Sequence, residues 1–208
     1  DNAIDAYSLL DNPDVLGIVL NYPSQSREVL TESKIVLNLQ PPKVIDSSAA
    51  CVGFIGAGNY ASRTLIPAFK DAGAVLDTLV TSGGISGVHH GNKNHFATTS
   101  TEAKDLWNND KINIVSIVTR HDAHAKQVVD ALKSGKNVFV EKPLALTLDE
   151  LNVIDKIYHE ANNSNTVRLM VGFNRRYAPH IVKMKELLSS HRSPKSIIMT
   201  VNAGAIPD

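Results

Sequence analysis

The fold of this chain is decided by one stretch, Cys51-Val52-Gly53-Phe54-Ile55-Gly56-Ala57-Gly58-Asn59-Tyr60-Ala61. Its first half is the apolar run of a buried strand, and its second half carries the pattern G-x-G-x-x-A. In such a turn Gly56 permits a sharp reversal, Gly58 keeps the backbone free of a Cβ, and Ala61 lets helix and strand pack closely. The stretch therefore predicts a strand that turns directly into a helix.

A turn of this kind is also a binding site for a diphosphate. The helix that follows offers its free N–H groups and the positive end of its dipole to the phosphates. A tight turn without any ligand is the alternative, but the alternating α/β pattern around the motif favours a dinucleotide. The turn residues predicted to bind the cofactor are Gly56, Ala57, Gly58, Asn59 and Tyr60.

Strands and helices alternate after the turn, which predicts an α/β Rossmann domain, a parallel sheet with helices on both faces. Further strands are predicted over 75–81, 96–99, 112–118, 137–140, 168–173 and 195–201. Helices are predicted over 59–72, with a kink at Pro67, and over 101–108, 123–134, 179–188, and from the capping box at 147–150 to residue 161. The glycine-rich stretch 82–95 is predicted to contain at most a short helix.

The end of the second strand bears on the choice of cofactor. It reads Leu79-Val80-Thr81-Ser82-Gly83-Gly84 and lacks the carboxylate with which NAD-binding proteins hold the ribose hydroxyls. Asp77 lies too early in the strand to take that role. Thr81 and Ser82 are predicted cofactor contacts, and Ser82 or Lys93 is available to a 2′-phosphate. The predicted cofactor is NAD or NADP, with the balance towards NADP.

Composition excludes several classes of protein. The 208 residues carry 21 Lys and Arg against 21 Asp and Glu, a balance that offers no electrostatic footprint for nucleic acid or an anionic membrane. Apolar runs fall short of the roughly 18 residues that a membrane span needs. The chain has one cysteine, Cys51, which excludes an internal disulfide, and this residue is predicted to be an inert core thiol.

No metal site is predicted, because His89, His90 and His95 lack carboxylate or thiol companions. The expected location of the protein is cytoplasmic.

The first fifty residues have a different texture. A helix is predicted over 2–10 and a short apolar strand over 15–20. Residues 21–50 are rich in Pro and Ser and are predicted to be a linker with one strand over 34–39. The chain does not begin with Met and ends just after a predicted strand, so we expect it to be a piece of a longer polypeptide.

Three further segments carry a resemblance to a known family. They are Thr119-Arg120-His121-Asp122-Ala123-His124, Glu141-Lys142-Pro143 and Asn174-Arg175-Arg176-Tyr177-Ala178-Pro179, each placed after a predicted strand. Together with the glycine turn they resemble the glucose-fructose oxidoreductase / inositol dehydrogenase (Gfo/Idh/MocA) family, over most of the chain from Cys51 onward. The family usually has Thr-Pro-Asn where this chain has Thr119-Arg120-His121.

The resemblance implies a role for each matching residue. Lys142 would be the catalytic residue that orients the nicotinamide ribose and the substrate hydroxyl. Pro143 would fix the chain as it leaves the site, through an unusual peptide geometry. Other residues would contact the cofactor, and these are Thr119, Arg120, His124, Glu141, Pro143 and Arg175. The proton-shuttling His of the family belongs to a C-terminal domain, and this chain has no matching residue, so we expect poor turnover by the chain alone.

The resemblance also implies an organisation and an activity. Residues 1–50 would be the tail of a preceding domain and a linker, 51–177 the Rossmann domain, and 178–208 the truncated start of an α+β substrate domain. The start of the chain is similar to the end of a zinc-type medium-chain alcohol dehydrogenase, which suggests a fusion. The implied function is NAD(P)-dependent oxidation or reduction of a sugar or sugar-like polyol, by a homo-oligomer when full length.

Three alternatives use similar sequence features. A non-catalytic dinucleotide sensor shares the fold, since fold does not define function. A methyltransferase that binds S-adenosylmethionine predicts an acidic end to the second strand and leaves Glu141-Lys142-Pro143 unexplained. A structural module between fused enzymes would bind no ligand.

Overall fold

A computed structural model gives the fold and describes residues 5–6, 8, 13–15, 17–19, 32–37, 49–162, 167–200 and 204. Most of the helix predicted over 2–10 and most of the linker predicted over 21–50 lie outside these residues. The strand predicted over 15–20 is wrong where the structure describes it, because residues 15 and 17–19 belong to no strand. Val19 is 92% exposed, whereas a buried apolar strand would cover it.

In the described residues, seven strands form one sheet in the order β1-β4-β3-β2-β5-β6-β7. The strands are β1 Lys34–Val36, β2 Cys51–Ile55, β3 Val75–Val80, β4 Thr98–Ser100, β5 Ile114–Ile117, β6 Asn137–Val140 and β7 Leu169–Val171. All neighbouring pairs are parallel except β1 and β4, which are antiparallel. Every residue of the central strand β2 is buried, as expected for a parallel strand covered on both faces.

Helices lie against both faces of the sheet, which confirms the predicted fold class. They are α1 Ile66–Asp71, α2 Gly84–Asn94, α3 Lys104–Trp107, α4 His121–Lys133, α5 Leu148–Ala161 and α6 Pro179–Leu188, with a π-helical turn Ala61–Leu65 and a 3₁₀ turn Asn174–Tyr177. Val52 and Phe54 of β2 pack with α1 in one apolar cluster. Ile55 points to the opposite face and joins the cluster formed by α3, α4 and α5.

The first helix contains an irregularity caused by Pro67. Proline has no N–H to donate to the carbonyl of Arg63, and its ring crowds the preceding turn. The helix widens into the π-turn just before it, where the Ile66 N–H donates to the Ala61 carbonyl. A π-turn is one cause of a kink in a helix, so this π-turn is the irregularity that corresponds to the kink predicted at Pro67.

Several local signals act as predicted. Gly73 ends the first helix with a φ of 86°, and Gly135 follows α4 with a φ of 72°. The Thr147 side chain and the Glu150 carboxylate form a reciprocal capping box at the start of α5. The strand 137–140 and the helix 179–188 have the predicted bounds.

Two other predictions differ from the structure: the helix within 82–95 is longer than the short one expected, and the last strand is absent from the described residues. The stretch 82–95 forms the eleven-residue helix α2, whose glycines serve close packing: a Cβ at Gly87 would collide with Thr99, and one at Gly91 with Leu37. No strand forms over residues 195–200, the described part of the predicted strand 195–201. Ile198 there is 95% exposed, because no strand in the described part of the chain pairs with it.

Candidate functional site

The glycine turn after β2 is open. Gly56 has a φ of 99°, its N–H donates to the Val80 carbonyl at 2.8 Å, and a Cβ on it would overlap the Val118 carbonyl. Glycine is therefore required at position 56 by both conformation and space. At Gly58 no atom beyond the glycine and its two chain neighbours lies within 4 Å of where a Cβ would stand. The backbone at Gly58 faces free space, as a diphosphate site needs.

This turn forms one wall of a cavity of about 910 Å³, which we call the switch-point cavity. It lies at the carboxyl end of the sheet, where the chain leaves β2 towards β3 on one side and later returns to β5 on the other. Ligands of doubly wound proteins bind at this point. The cavity is lined by Ile55, Gly56, Ala57, Gly58, Val80, Thr81, Ser82, Ser86, Thr101, Ala103, Val118, Thr119, Arg120, Asp122, Ala123 and Gln127.

Half of the predicted cofactor contacts line the cavity: Gly56, Ala57, Gly58, Thr81, Ser82, Thr119 and Arg120. Asn59 and Tyr60 come next in the chain, exposed at the start of the helical segment. Lys93 lies in the last turn of α2 and is not part of the lining.

The β3 side of the cavity is polar but uncharged. The hydroxyls of Thr81 and Ser86 each donate to the Gly83 carbonyl at 2.8 Å. Asp77 is 7% exposed, and its carboxylate accepts from Thr78 and Asn109, so it stays inside the sheet as predicted. Asp122, the carboxylate among the lining residues, belongs to the first turn of α4 on another wall.

The β5 side of the cavity is built by α4. Thr119 donates from its hydroxyl to the Gln127 side-chain oxygen at 2.7 Å, so helix and loop hold each other. Arg120 is exposed and precedes the first residue of α4. Gln127 lies within the helix, about two turns after Arg120.

Other lining residues were not singled out as cofactor contacts, and these are Ile55, Val80, Ser86, Thr101, Ala103, Val118, Asp122, Ala123 and Gln127, of which Asp122 and Ala123 lie in the segment 119–124 that the resemblance singles out. Ser86 was missed because the helix that carries it was not recognised. Thr101 and Ala103 follow β4, and the rule that the ends of parallel strands meet at one edge of a sheet was enough to find them. Three of these residues lie on α4, namely Asp122, Ala123 and Gln127. The sequence predicts this helix, but packing decides which of its faces lines the cavity.

The Glu-Lys-Pro segment follows β6, outside the lining of the cavity but at the same edge of the sheet. The Lys142–Pro143 peptide is cis, the unusual geometry that the resemblance implies. Lys142 is exposed, its amide donates to the Glu141 carboxylate at 3.3 Å, and its ammonium pairs with no described residue. The other Glu141 oxygen is buried without a described partner beside Gly172, where a Cβ would overlap it.

The structure places His124 beneath the site. Its side chain is 0% exposed, and its ring nitrogens lie 2.7 Å from the Pro143 carbonyl and 3.2 Å from the Thr119 carbonyl. Because the ring is fully buried, it cannot make the direct cofactor contact that was predicted for it. The reason is that α4 begins at His121, which turns position 124 inward.

Arg175 lies in the exposed 3₁₀ turn after β7 and does not line the cavity. Its neighbour Asn174 donates to the Tyr60 hydroxyl at 3.1 Å. This bond connects the glycine-turn helix with the far end of the sheet and spans the ends of β5 and β6.

The described residues offer neither a cluster for a metal ion nor a membrane-spanning helix. They contain no group of three or more His, Cys, Asp or Glu side chains that could hold a metal ion. None of their helices has the length and apolar character needed to cross a membrane.

A parallel sheet with an open glycine turn at its switch point defines an NAD(P)-binding Rossmann protein. The chain belongs to the Gfo/Idh/MocA family: residues 51–173 match its family model, described as an oxidoreductase family with an NAD-binding Rossmann fold.

Similar proteins come from several bacteria. An oxidoreductase of Formosa agariphila is 34% identical over 67% of this chain and 42% of its own length. The inositol 2-dehydrogenase/D-chiro-inositol 3-dehydrogenase of Lactiplantibacillus plantarum is 34% identical over 71% of this chain and 41% of its own length. The crystal structure of a myo-inositol 2-dehydrogenase from Lactobacillus plantarum has a TM-score of 0.61 and 25% identity, covering 68% of this chain and 41% of that chain. The chain thus spans about two fifths of the length of these relatives.

Proposed function

We propose that this chain is the cofactor-binding part of an NAD(P)-dependent dehydrogenase that acts on a sugar or sugar-like polyol. The observation that carries the proposal is the free space above Gly58, in a turn that ends the central strand at the switch point. The substrate class is supported by the resemblance and by relatives that are inositol dehydrogenases.

A different group of residues is the candidate binding site for each part of the cofactor. The turn at Gly56–Gly58 and the helical segment after it would hold the diphosphate. Thr81, Ser82 and Arg120 would border the adenosine half. The nicotinamide half would extend towards the Glu-Lys-Pro segment at 141–143, which follows the next strand but one from β2.

NADP is the preferred cofactor in this proposal. The β3 side of the cavity presents hydroxyls of Thr81, Ser82 and Ser86 and no carboxylate to repel a 2′-phosphate. Arg120 lines the same cavity with a permanently charged side chain that pairs well with phosphate.

The chemistry proposed for this chain is binding and orientation. The bound nicotinamide would supply or accept the hydride. Lys142 would hold the substrate hydroxyl, and its ammonium would stabilise the developing alkoxide. Its lack of any described ion pair leaves that charge available. The group that takes the hydroxyl proton is proposed to lie in a substrate domain outside this chain, so the chain alone would turn over poorly.

Calorimetric titration with NADPH and NADH tests the proposal. We expect saturable binding, tighter for NADPH, and a loss of at least about tenfold in affinity for Gly58→Ala. The added methyl group meets no protein atom, so the variant should fold normally. The matched control is Gly17→Ala, which also adds a methyl group in free space but lies outside the cavity lining. Weak, non-saturating heats for both nucleotides would contradict the proposal.

Other features belong to the same proposal. The working protein would be a cytoplasmic homo-oligomer that binds a small-molecule substrate and no nucleic acid or membrane. A fusion to a zinc-type alcohol dehydrogenase would account for the similarity seen before residue 20. The proposed domain limits are 51–177 and 178–208, and the family match over residues 51–173 supports the first of them at its start. Tight cofactor binding by the complete protein without turnover of any polyol would favour the sensor instead.

A further inference from the structure

A buried histidine links two loops of the site. His124 lies in the first turns of α4, and it is among the largest side chains that are completely buried. A buried histidine ring usually forms hydrogen bonds, because desolvation of an unpaired ring nitrogen is costly. Here a polar atom lies close to each ring nitrogen.

Both atoms are main-chain carbonyl oxygens, which only accept hydrogen bonds. Nδ1 is 2.7 Å from the Pro143 carbonyl, and Nε2 is 3.2 Å from the Thr119 carbonyl. The shorter distance assigns an N–H to Nδ1, since two lone pairs would repel at 2.7 Å. In this tautomer the hydrogen bond of the ring is the one from Nδ1–H to the Pro143 carbonyl.

These carbonyls belong to the two loops that carry different halves of the proposed cofactor site. Thr119 lines the switch-point cavity on its β5 side. Pro143 comes directly after Lys142, whose own amide donates, among the residues that the structure describes, to the Glu141 carboxylate alone, at 3.3 Å. On its C-terminal side, the position of the Lys142 backbone is thus set through the Pro143 carbonyl.

We propose that His124 is a positioning residue, which donates from Nδ1 to the Pro143 carbonyl and thereby places Lys142 relative to the cofactor. It acts through Lys142 and touches neither cofactor nor substrate. This inference rests on the proposed function, because it presupposes that Lys142 faces a bound nicotinamide ribose.

Two substitutions separate positioning from simple packing. In His124→Asn the side-chain amide nitrogen occupies about the place of Nδ1, and in His124→Gln it occupies about the place of Nε2. The full chain carrying each substitution is titrated with NADPH and with 2′-phospho-ADP, which keeps the adenosine half and the diphosphate but lacks the nicotinamide ribose. The readout is the ratio of the two affinities, since a packing defect weakens both ligands alike.

We expect His124→Gln to lower the affinity for NADPH by about two- to tenfold, the usual effect of one hydrogen bond, and to leave the affinity for 2′-phospho-ADP within twofold. His124→Asn should keep the wild-type ratio. Lys142→Ala gives the reference loss for the nicotinamide half. The double variant His124→Gln/Lys142→Ala should lose no more than Lys142→Ala, because the two residues act in series.

Each outcome decides one question. If the wild-type chain binds no dinucleotide, the proposed function fails. If the wild type binds and His124→Gln keeps the wild-type ratio, or if the two losses add in the double variant, the positioning role is overturned. Should His124→Gln not fold, the ring ¹⁵N spectrum of the wild type decides, and an unprotonated Nδ1 overturns the inference.

Discussion

At the scale of single residues, the Cys51 thiol shows how burial controls chemistry. It is 0% exposed at the start of β2. Burial raises the pKa of the thiol from 9.0 to about 11, and the nearby negative charge of Asp77 adds to the effect. A thiol with this pKa is protonated and unreactive at neutral pH, as the sequence predicts for a core cysteine.

This shift makes a prediction about alkaline stability. Between about pH 9 and pH 11 the unfolded chain releases the thiol proton while the folded chain keeps it. The free energy of unfolding should therefore fall as pH rises through this window, by about 2–3 kcal/mol in total from this group. Urea unfolding at several pH values measures it. Cys51→Ala removes the contribution, so parallel curves for the two proteins would contradict the prediction.

At the scale of elements, α5 shows how a short pattern defines a helix start. Glu150 donates its N–H to the Thr147 hydroxyl at 3.2 Å, and its carboxylate accepts from the Leu146 and Thr147 amides at 2.8 and 3.1 Å. These bonds satisfy amides that the helix itself leaves free. The helix then reaches the core through Ile154, which is buried.

Removing the cap should weaken the fold by a measurable amount. Thr147→Ala is expected to lower the free energy of unfolding by about 0.5–2 kcal/mol, the usual range for a lost N-cap. Thr147→Ser keeps the hydroxyl and should remain near wild type. Denaturant titration compares the three proteins, and equal losses in both variants would show that the methyl group, not the cap, matters.

At the scale of the whole molecule, the sheet extends beyond the family match. β1 precedes residue 51 yet pairs with the edge strand β4. The Ser33 carbonyl accepts from Thr101, a residue of the switch-point cavity, and the Leu37 amide donates to Ala97, both at 2.9 Å. Leu37 also packs against the apolar cluster around Phe54. An added strand thus pairs with β4, contacts the cavity wall and becomes the edge of the described sheet, and its length of three residues limits edge-to-edge association.

Two side-chain substitutions, one within β1 and one directly after it, test how this strand packs against the sheet. Leu37→Ala should lower the free energy of unfolding by about 1–3 kcal/mol, because it leaves a gap beneath Gly91. Ile35→Ala, at a position that is exposed, should cost much less. Thermal unfolding of both variants provides the comparison, and equal shifts would mean that Leu37 contributes no specific packing.

Local signals explain which parts of the structure could be predicted. β2 and β6 have the predicted bounds because short apolar runs between turn residues leave little choice of structure. α6 starts at Pro179 and has the predicted bounds for the same kind of reason. By contrast, α2 looked like a loop because its glycines are unfavourable in an isolated helix.

The sequence by itself determined the glycine turn, the alternation of strands and helices, and the family, since each depends on residues that are neighbours along the chain. Tertiary structure decided that Ser86 and Gln127 line the cavity, that His124 lies beneath it, and that residues 195–200 form no strand. The physical reason is that burial, cavity walls and strand pairing arise from segments far apart in the chain, and neither helical period nor turn chemistry records which segments will meet.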